Sequence, residues 1–230
     1  MKVVVFDIDG TLTRTTRVDG EQFHNAIQSV LPAVELESFD EFVEMTDTAI
    51  LQEVCAVYGA CEYASVETRV LERFLDGLSK ALTTDPASFS AVPGARTVFA
   101  QVRDAGWVPA IATGGWRPSA EMKLAAAGIP TNRVPLATSS EATRRVDIIR
   151  NAVTEAASGT EPAEVVYVGD GIWDIRACRE LGIGFVGRAA GGDIGRLLDH
   201  GARSVVPDFL GTGSFLRLLS EPHHLSLMPD

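Results

Sequence analysis

A chain of 230 residues, 46% of them hydrophobic, is long enough to bury one sizeable core and a smaller second one. A formal charge of -11, with no run of Lys or Arg to offset it, argues against a nucleic-acid partner. No stretch approaches the ~18 consecutive apolar residues of a membrane span. Residues 1–6 are also too short for a secretory h-region before the chain turns polar, so a soluble cytoplasmic protein without a membrane partner is expected.

The apolar run Val3, Val4, Val5 and Phe6, bounded by turn residues, predicts a strand buried on both faces. From about Thr13 to Ser90 no strand pattern follows, only helical patterns over 21–31, 39–58 and 66–82. Alternation then sets in. Strand-like runs at 107–112, 134–137, 165–168, 183–186 and 204–206 are interleaved with helical patterns over 95–105, 119–127, 145–157, 173–181 and 194–200. Gly106, Gly128, Gly182 and Gly201 stand where helices end.

Strands alternating with helices imply an α/β fold with a doubly wound parallel sheet. The expected organisation is a core domain of residues 1–13 and 91–230, with residues 14–90 inserted as an all-helical cap over the carboxyl ends of the strands. The three cysteines, Cys55, Cys61 and Cys178, have no metal-site spacing and read as free thiols in a reducing compartment.

Four places carry chemistry. Asp7, Ile8, Asp9 and Gly10 put two carboxylates just past the first strand; an Asp-rich turn explains such a pattern as well, but the pair also suits nucleophilic attack and proton handling. Gly169, Asp170, Gly171 and Asp174 repeat the placement after a later strand, where a helix N-terminus alone would also favour acids. Carboxylates converging from two strand ends repel one another unless a cation sits among them, and Mg²⁺ prefers such oxygen ligands. Thr113, Gly114 and Gly115 end another strand, offering a hydroxyl and open backbone N–H groups. Arg144 and Arg145 open a helix, where a guanidinium can neutralise a phosphoryl group.

Acids, hydroxyl, base and acids, in that order and each at a different strand exit, resemble the four signature motifs of the haloacid dehalogenase-like superfamily. The long helical insertion is similar to the cap of its phosphoglycolate phosphatase-like branch. The resemblance implies a phosphatase that hydrolyses a small phosphorylated metabolite through an aspartyl phosphate. It makes Asp7 the nucleophile, Asp9 the general acid and base, and Thr113, Gly114 and Arg145 the phosphate ligands. Asp7, Asp9 (through its carbonyl), Asp170 and Asp174 would hold Mg²⁺. The third motif in this superfamily most often supplies lysine. Here Arg145 is preferred over Arg144, with Lys123 as a more distant alternative in mid-helix. Thr46 and Asp47 in the cap, and Trp116 and Arg117 after the glycines, are candidate substrate contacts. A phosphomutase, a receiver-like signalling module and a non-catalytic phosphate-binding protein are the alternatives. Asp9 argues against a dehalogenase, and the identity of the ester and the oligomeric state stay open.

Overall fold

Strand β1 (Lys2–Phe6) is the centre of the molecule because it has no polar face: Val3 and Val5 pack into one apolar layer, Val4 and Phe6 into another. Such a strand is stable only with a neighbour on each edge and helices on each side. In the computed structural model, which describes residues 1–34, 42–59 and 62–221, β1 lies parallel between β2 (Trp107–Ala112) and β4 (Glu164–Gly169), with Val5 beside Ala110 and Tyr167. With β3 (Leu136–Ala137), β5 (Gly184–Arg188) and β6 (Val205–Val206) the sheet has six parallel strands in the order β3-β2-β1-β4-β5-β6.

The chain first builds outward from β1 through β2 to β3, then crosses back and builds the other way. Its topological switch therefore falls between β1 and β4, where doubly wound sheets open a crevice at the strands' carboxyl ends. Helices α4 (Ala95–Asp104), α5 (Arg117–Ala127) and α9 (Thr212–Leu219) cover one face. The other face is covered by α6 (Arg145–Ala156), α7 (Ile172–Leu181) and α8 (Asp193–Asp199).

Between β1 and α4 the chain leaves to form an inserted helical cap of α1 (Thr16–Val30), α2 (Asp47–Tyr58) and α3 (Tyr63–Thr84). These close a third apolar cluster around Phe23, Ile27, Leu51, Val70, Phe74 and Leu78. The segments entering and leaving it run antiparallel side by side: Arg14 N–H donates to Ser90 O at 2.9 Å, and Val92 N–H to Leu12 O at 2.9 Å. Helix α5 is held between the two bodies. Its Ala120, Leu124 and Ala127 belong to the sheet's core, whereas Trp116 at its N-cap belongs to the cap cluster, stacked edge-on against Phe23 and Phe74.

The departures from the sequence reading are local. The strand expected over 134–137 begins at Leu136, because Val134 N–H is turned to Thr131 O and Pro135 has no N–H to give a ladder. The helix expected over 39–58 starts at Asp47, where Thr46 accepts the Ala49 N–H in its side chain and so sets the N-cap. Residues 39–41 of that expectation, and Cys61, lie outside the described residues. Helix α1 begins at Thr16, earlier than the apolar pattern indicated. Cys55 and Cys178 are buried free thiols, and no described helix is long and apolar enough to cross a membrane.

Trp116 is 2% exposed, and its indole N–H donates to Thr48 Oγ1 at 2.9 Å. Trp116→Ala should therefore cost about 3–5 kcal/mol, the usual loss for emptying a large aromatic site, and denaturant unfolding at constant m-value would measure it.

Candidate active site

The site is built where β1 and β4 end side by side. Asp7 is still held by the sheet, its N–H donating to Val168 O at 2.9 Å, so the carboxylate is fixed at the strand exit. Gly10 then turns the chain at φ +75° close against Asp170, where a Cβ would strike the carboxylate. Only glycine fits there on both counts. Across the crevice, β4 delivers Asp170, and Asp174 stands in the first turn of α7 with Oδ2 accepting the Gly171 N–H at 3.1 Å. Asp7, Asp170 and Asp174 each present a carboxylate oxygen, all within 4.8 Å of one another.

Burial and mutual repulsion act together on these groups. Burial, then the charge of Asp174, push the Asp7 carboxyl up to about 8, although Arg145 opposes the rise. Burial followed by the charges of Asp7 and Asp174 hold Asp170 well above the usual range, and burial raises Asp174 against the pull of Arg145. Three oxygen donors that cannot all ionise together cheaply are a donor set suited to a hard divalent cation.

Arg145 is the site's buried guanidinium. Its Nη1 lies 2.9 Å from Asp174 Oδ1 and 3.8 Å from Asp7 Oδ1, and its Nη2 donates to Met45 O at 2.9 Å. Arg144, next to it, points away to the exposed carboxylate of Glu180 and the half-buried one of Glu44. Thr113 ends β2 with its Oγ1 accepting the Gly115 N–H at 3.3 Å. A Cβ on Gly114 would lie 2.5 Å from Met45 O and 2.6 Å from the Arg145 guanidinium, so this loop is glycine because cap and core close over it.

A cavity of about 320 Å³ opens in front of these groups. Asp7, Asp9, Thr113, Gly114, Arg145 and Asp170 form its floor, and Asp19, Phe23, Met45, Thr46, Asp47 and Ile50 of the cap form its roof. A larger open groove lies at the far end of β4, around Val153, Glu161 and Gly184, remote from every one of these acids.

Thr46 and Asp47 thus line the cavity, as anticipated for substrate contacts. Asp47 is buried, and its Oδ2 accepts the Trp116 N–H at 2.9 Å. Trp116 and Arg117 do not line it: the indole is in the cap's core, and Arg117 is tied to Glu141 at 2.7 Å and to Leu136 O at 2.7 Å.

Lys123 requires a correction. It lies in mid-helix as expected, but its ammonium is paired with Asp9 and Asp19, whereas Arg145 pairs with Asp7 and Asp174. It is 0% exposed, with Nζ 2.6 Å from Asp9 Oδ2 and 2.5 Å from Asp19 Oδ1. Burial disfavours its charge, but Asp19, Asp9 and Asp47 outweigh that and keep the ammonium protonated beyond the ordinary lysine range. Asp19, Trp173 and Arg196 line the cavity and Arg188 donates to Gly10 O at 2.6 Å; none was singled out from sequence. For Lys123 a signal existed: Ser119, Ala120, Lys123, Leu124 and Ala127 fall on one helical stripe, and all are buried.

A family model described as haloacid dehalogenase-like hydrolase matches residues 1–182. Among curated proteins no match is found. Similar folds occur in a hydrolase from Pseudomonas syringae, 22% identical with a TM-score of 0.73, covering 94% of this chain and 98% of that one. They occur too in CbbY from Rhodobacter sphaeroides in complex with phosphate, 19% identical with a TM-score of 0.61 over 92% of this chain and 96% of that one. A mutant of CbbY, solved with xylulose-(1,5)bisphosphate, is 20% identical with a TM-score of 0.62 over the same shares, 92% and 96%.

The raised carboxyls give a signed expectation for stability. A carboxyl at about 8 in the folded protein keeps a proton that the unfolded chain releases near pH ~4. Stability of the metal-free protein should therefore fall as pH rises from about 4 toward 8. A divalent cation bound among these carboxylates would take the place of those protons, and in that case Mg²⁺ should raise the melting temperature more at pH 8 than at pH 5. Differential scanning calorimetry with and without chelator checks both slopes.

Proposed function

Because the chain belongs to the haloacid dehalogenase-like hydrolases, we propose that it is a Mg²⁺-dependent phosphatase acting on a small phosphate monoester, with Asp7 as nucleophile. The observation that carries this reading is the meeting of Asp7, Asp170 and Asp174 within 4.8 Å, with the Arg145 guanidinium set against them and the cavity closed above by α1 and α2. Residues 14–90 act as the cap and residues 1–13 with 91–230 as the core. Mg²⁺ would be held by the carboxylates of Asp7, Asp170 and Asp174 and the carbonyl of Asp9; when bound it offsets charge on the phosphoryl oxygens.

An Asp7 carboxylate oxygen attacks phosphorus in line with the ester oxygen. The P–O bond to the leaving group breaks as the new P–O bond forms, giving an aspartyl phosphate, and Asp9 passes a proton to the departing alkoxide. A water molecule then attacks the same phosphorus, Asp9 takes its proton, and the bond to Asp7 breaks to release inorganic phosphate. Thr113 and the Gly114 loop hold phosphoryl oxygens through a hydroxyl and backbone N–H groups, while Arg145 neutralises charge on a loose transition state. The cap excludes bulk water from the aspartyl phosphate. That CbbY, similar in fold, has been solved with phosphate and with xylulose-(1,5)bisphosphate supports a phosphorylated metabolite as the substrate class. The cavity is lined by two basic side chains, Arg145 and Arg196, and by the acids Asp19 and Asp47 in its roof, which suits a single phosphoryl group better than two.

Phosphate release from a panel of small esters tests the reaction class. Turnover should depend on Mg²⁺, stop with chelator, and fall ~10³-fold or more in Asp7→Asn, as for loss of a covalent nucleophile. Undiminished turnover in Asp7→Asn would remove the mechanism.

The two arginines should separate cleanly. Arg145→Ala is expected to lower kcat/KM by roughly 10²-fold, the scale of one lost transition-state donor. Arg144→Ala, whose exposed ion pair with Glu180 contributes little, should change kcat/KM by less than about threefold. Steady-state kinetics on any accepted ester compares them.

A further inference from the structure

Lys123 is the one fully buried ammonium described in the molecule, and nothing in the proposed chemistry uses it. A lysine so placed is costly to bury unless it is paired, and its partners are specific. Nζ lies 2.6 Å from Asp9 Oδ2 in the core and 2.5 Å from Asp19 Oδ1 on the first helix of the cap. The other oxygen of Asp9 accepts Thr15 Oγ1–H at 2.5 Å, and Thr15 stands at the N-cap of the same helix, α1. Both oxygens of Asp9 are therefore held, one by the cap's entry and one by an ammonium that the cap also grips. Asp47, whose Oδ2 is fixed by the Trp116 N–H, adds its charge near Nζ. Helix α5 brings Lys123 to this point because it is sandwiched between the sheet's core and the cap's core.

Resting on the phosphatase reading above, we propose that Lys123 is a positioning residue for Asp9. Bridged to Asp19, it fixes the carboxyl that protonates the leaving group and ties that placement to the docking of α1. The geometry distinguishes it from Arg145. Arg145 faces Asp7 and Asp174, where the phosphoryl group reacts, whereas Lys123 reaches neither and acts through Asp9 alone. Its loss should spare attack on phosphorus and impair proton delivery to the departing oxygen.

That difference is read by the leaving group. In kcat/KM, which reports steps up to the first irreversible one, 4-nitrophenyl phosphate departs without needing a proton, whereas an alkyl phosphate needs one. Lys123→Met should lower kcat/KM less than about tenfold for 4-nitrophenyl phosphate and roughly 10²-fold for an alkyl phosphate. The larger figure is part of the 10²–10⁴ that general acid catalysis supplies. The dependence on leaving-group basicity across an aryl-to-alkyl series should steepen accordingly.

Because the comparison is a ratio between esters on the same preparation, a partly unfolded fraction cancels. If Lys123→Met does not fold, Lys123→Met with Asp19→Asn removes one acid with the one base, leaves the net charge of the pocket unchanged, and should show the same steepening. An active wild type with an equal loss for every ester in the variants, or no loss, would overturn the role of Lys123 and leave the phosphatase reading standing. A wild type inactive on every ester, with Mg²⁺ bound, would overturn both.

Discussion

Repulsion among buried carboxylates at the carboxyl edge of β1 and β4 is the constraint around which the structure is arranged. Asp7, Asp170 and Asp174 meet within 4.8 Å, while Asp9, Asp19 and Asp47 crowd the other side of the same cavity. Left alone, such a group of acids would take up protons, as the rise of Asp7 and Asp47 each to about 8 indicates. Two cations divide the task of offsetting it. Arg145 serves the half formed by Asp7 and Asp174 and Lys123 the half formed by Asp9 and Asp19, and both cations are buried with their partners. Burial, ahead of any neighbouring charge, raises Asp7 and Asp47, and a divalent cation would favour the ionised form of the carboxylates that hold it.

Each cation also ties cap to core. Arg145 donates to Met45 O, and Glu44 accepts its backbone N–H at 3.2 Å, so the proposed phosphate ligand is aligned by the segment leading into α2. Lys123 joins Asp9 of the core to Asp19 of α1. Thr48 accepts the Trp116 indole N–H and donates to Ser139 O at 2.7 Å, adding a neutral bond at the same junction. The junction is apolar as well as polar, since Trp116 packs into the cap cluster edge-on against Phe23 and Phe74, so both kinds of contact hold cap to core.

How far the site was legible follows from the same electrostatics. The acids after β1 and β4 could be read because carboxylates two or four residues apart at a strand exit are conspicuous, and so could the parallel sheet, because its strands are apolar on both faces. The preference for Arg145 over Arg144 agrees with burial: the former enters the cluster and the latter meets Glu180 at the surface. Lys123 was legible only as a distant alternative to Arg145, since a lysine in a helix is ordinarily solvated and only its place on the stripe of Ala120, Leu124 and Ala127 argued for burial. Asp19 was still harder to find. It lies in an amphipathic cap helix among charged neighbours such as Arg17 and Glu21, and only the three-dimensional return of α5 gives it a partner. The helix start at Asp47 in place of residue 39 was set by a single hydroxyl, that of Thr46, and apolar periodicity carries no information about a cap bond.

A site made of mutually repelling buried charges contributes little to stability, so the fold must draw its stability from elsewhere. The two apolar layers around β1 and the cap cluster around Phe74 supply it, and their positions are not incidental. β1 is apolar on both faces up to Phe6, and the carboxylates begin at the next residue. The strand that anchors the core therefore also presents the proposed nucleophile, and Asp7 remains on the ladder through its N–H. A carboxylate carried on a loop would relax away from Asp174. Held by the central strand it cannot, and the strain of like charges is kept in the folded state, where a bound cation would relieve it.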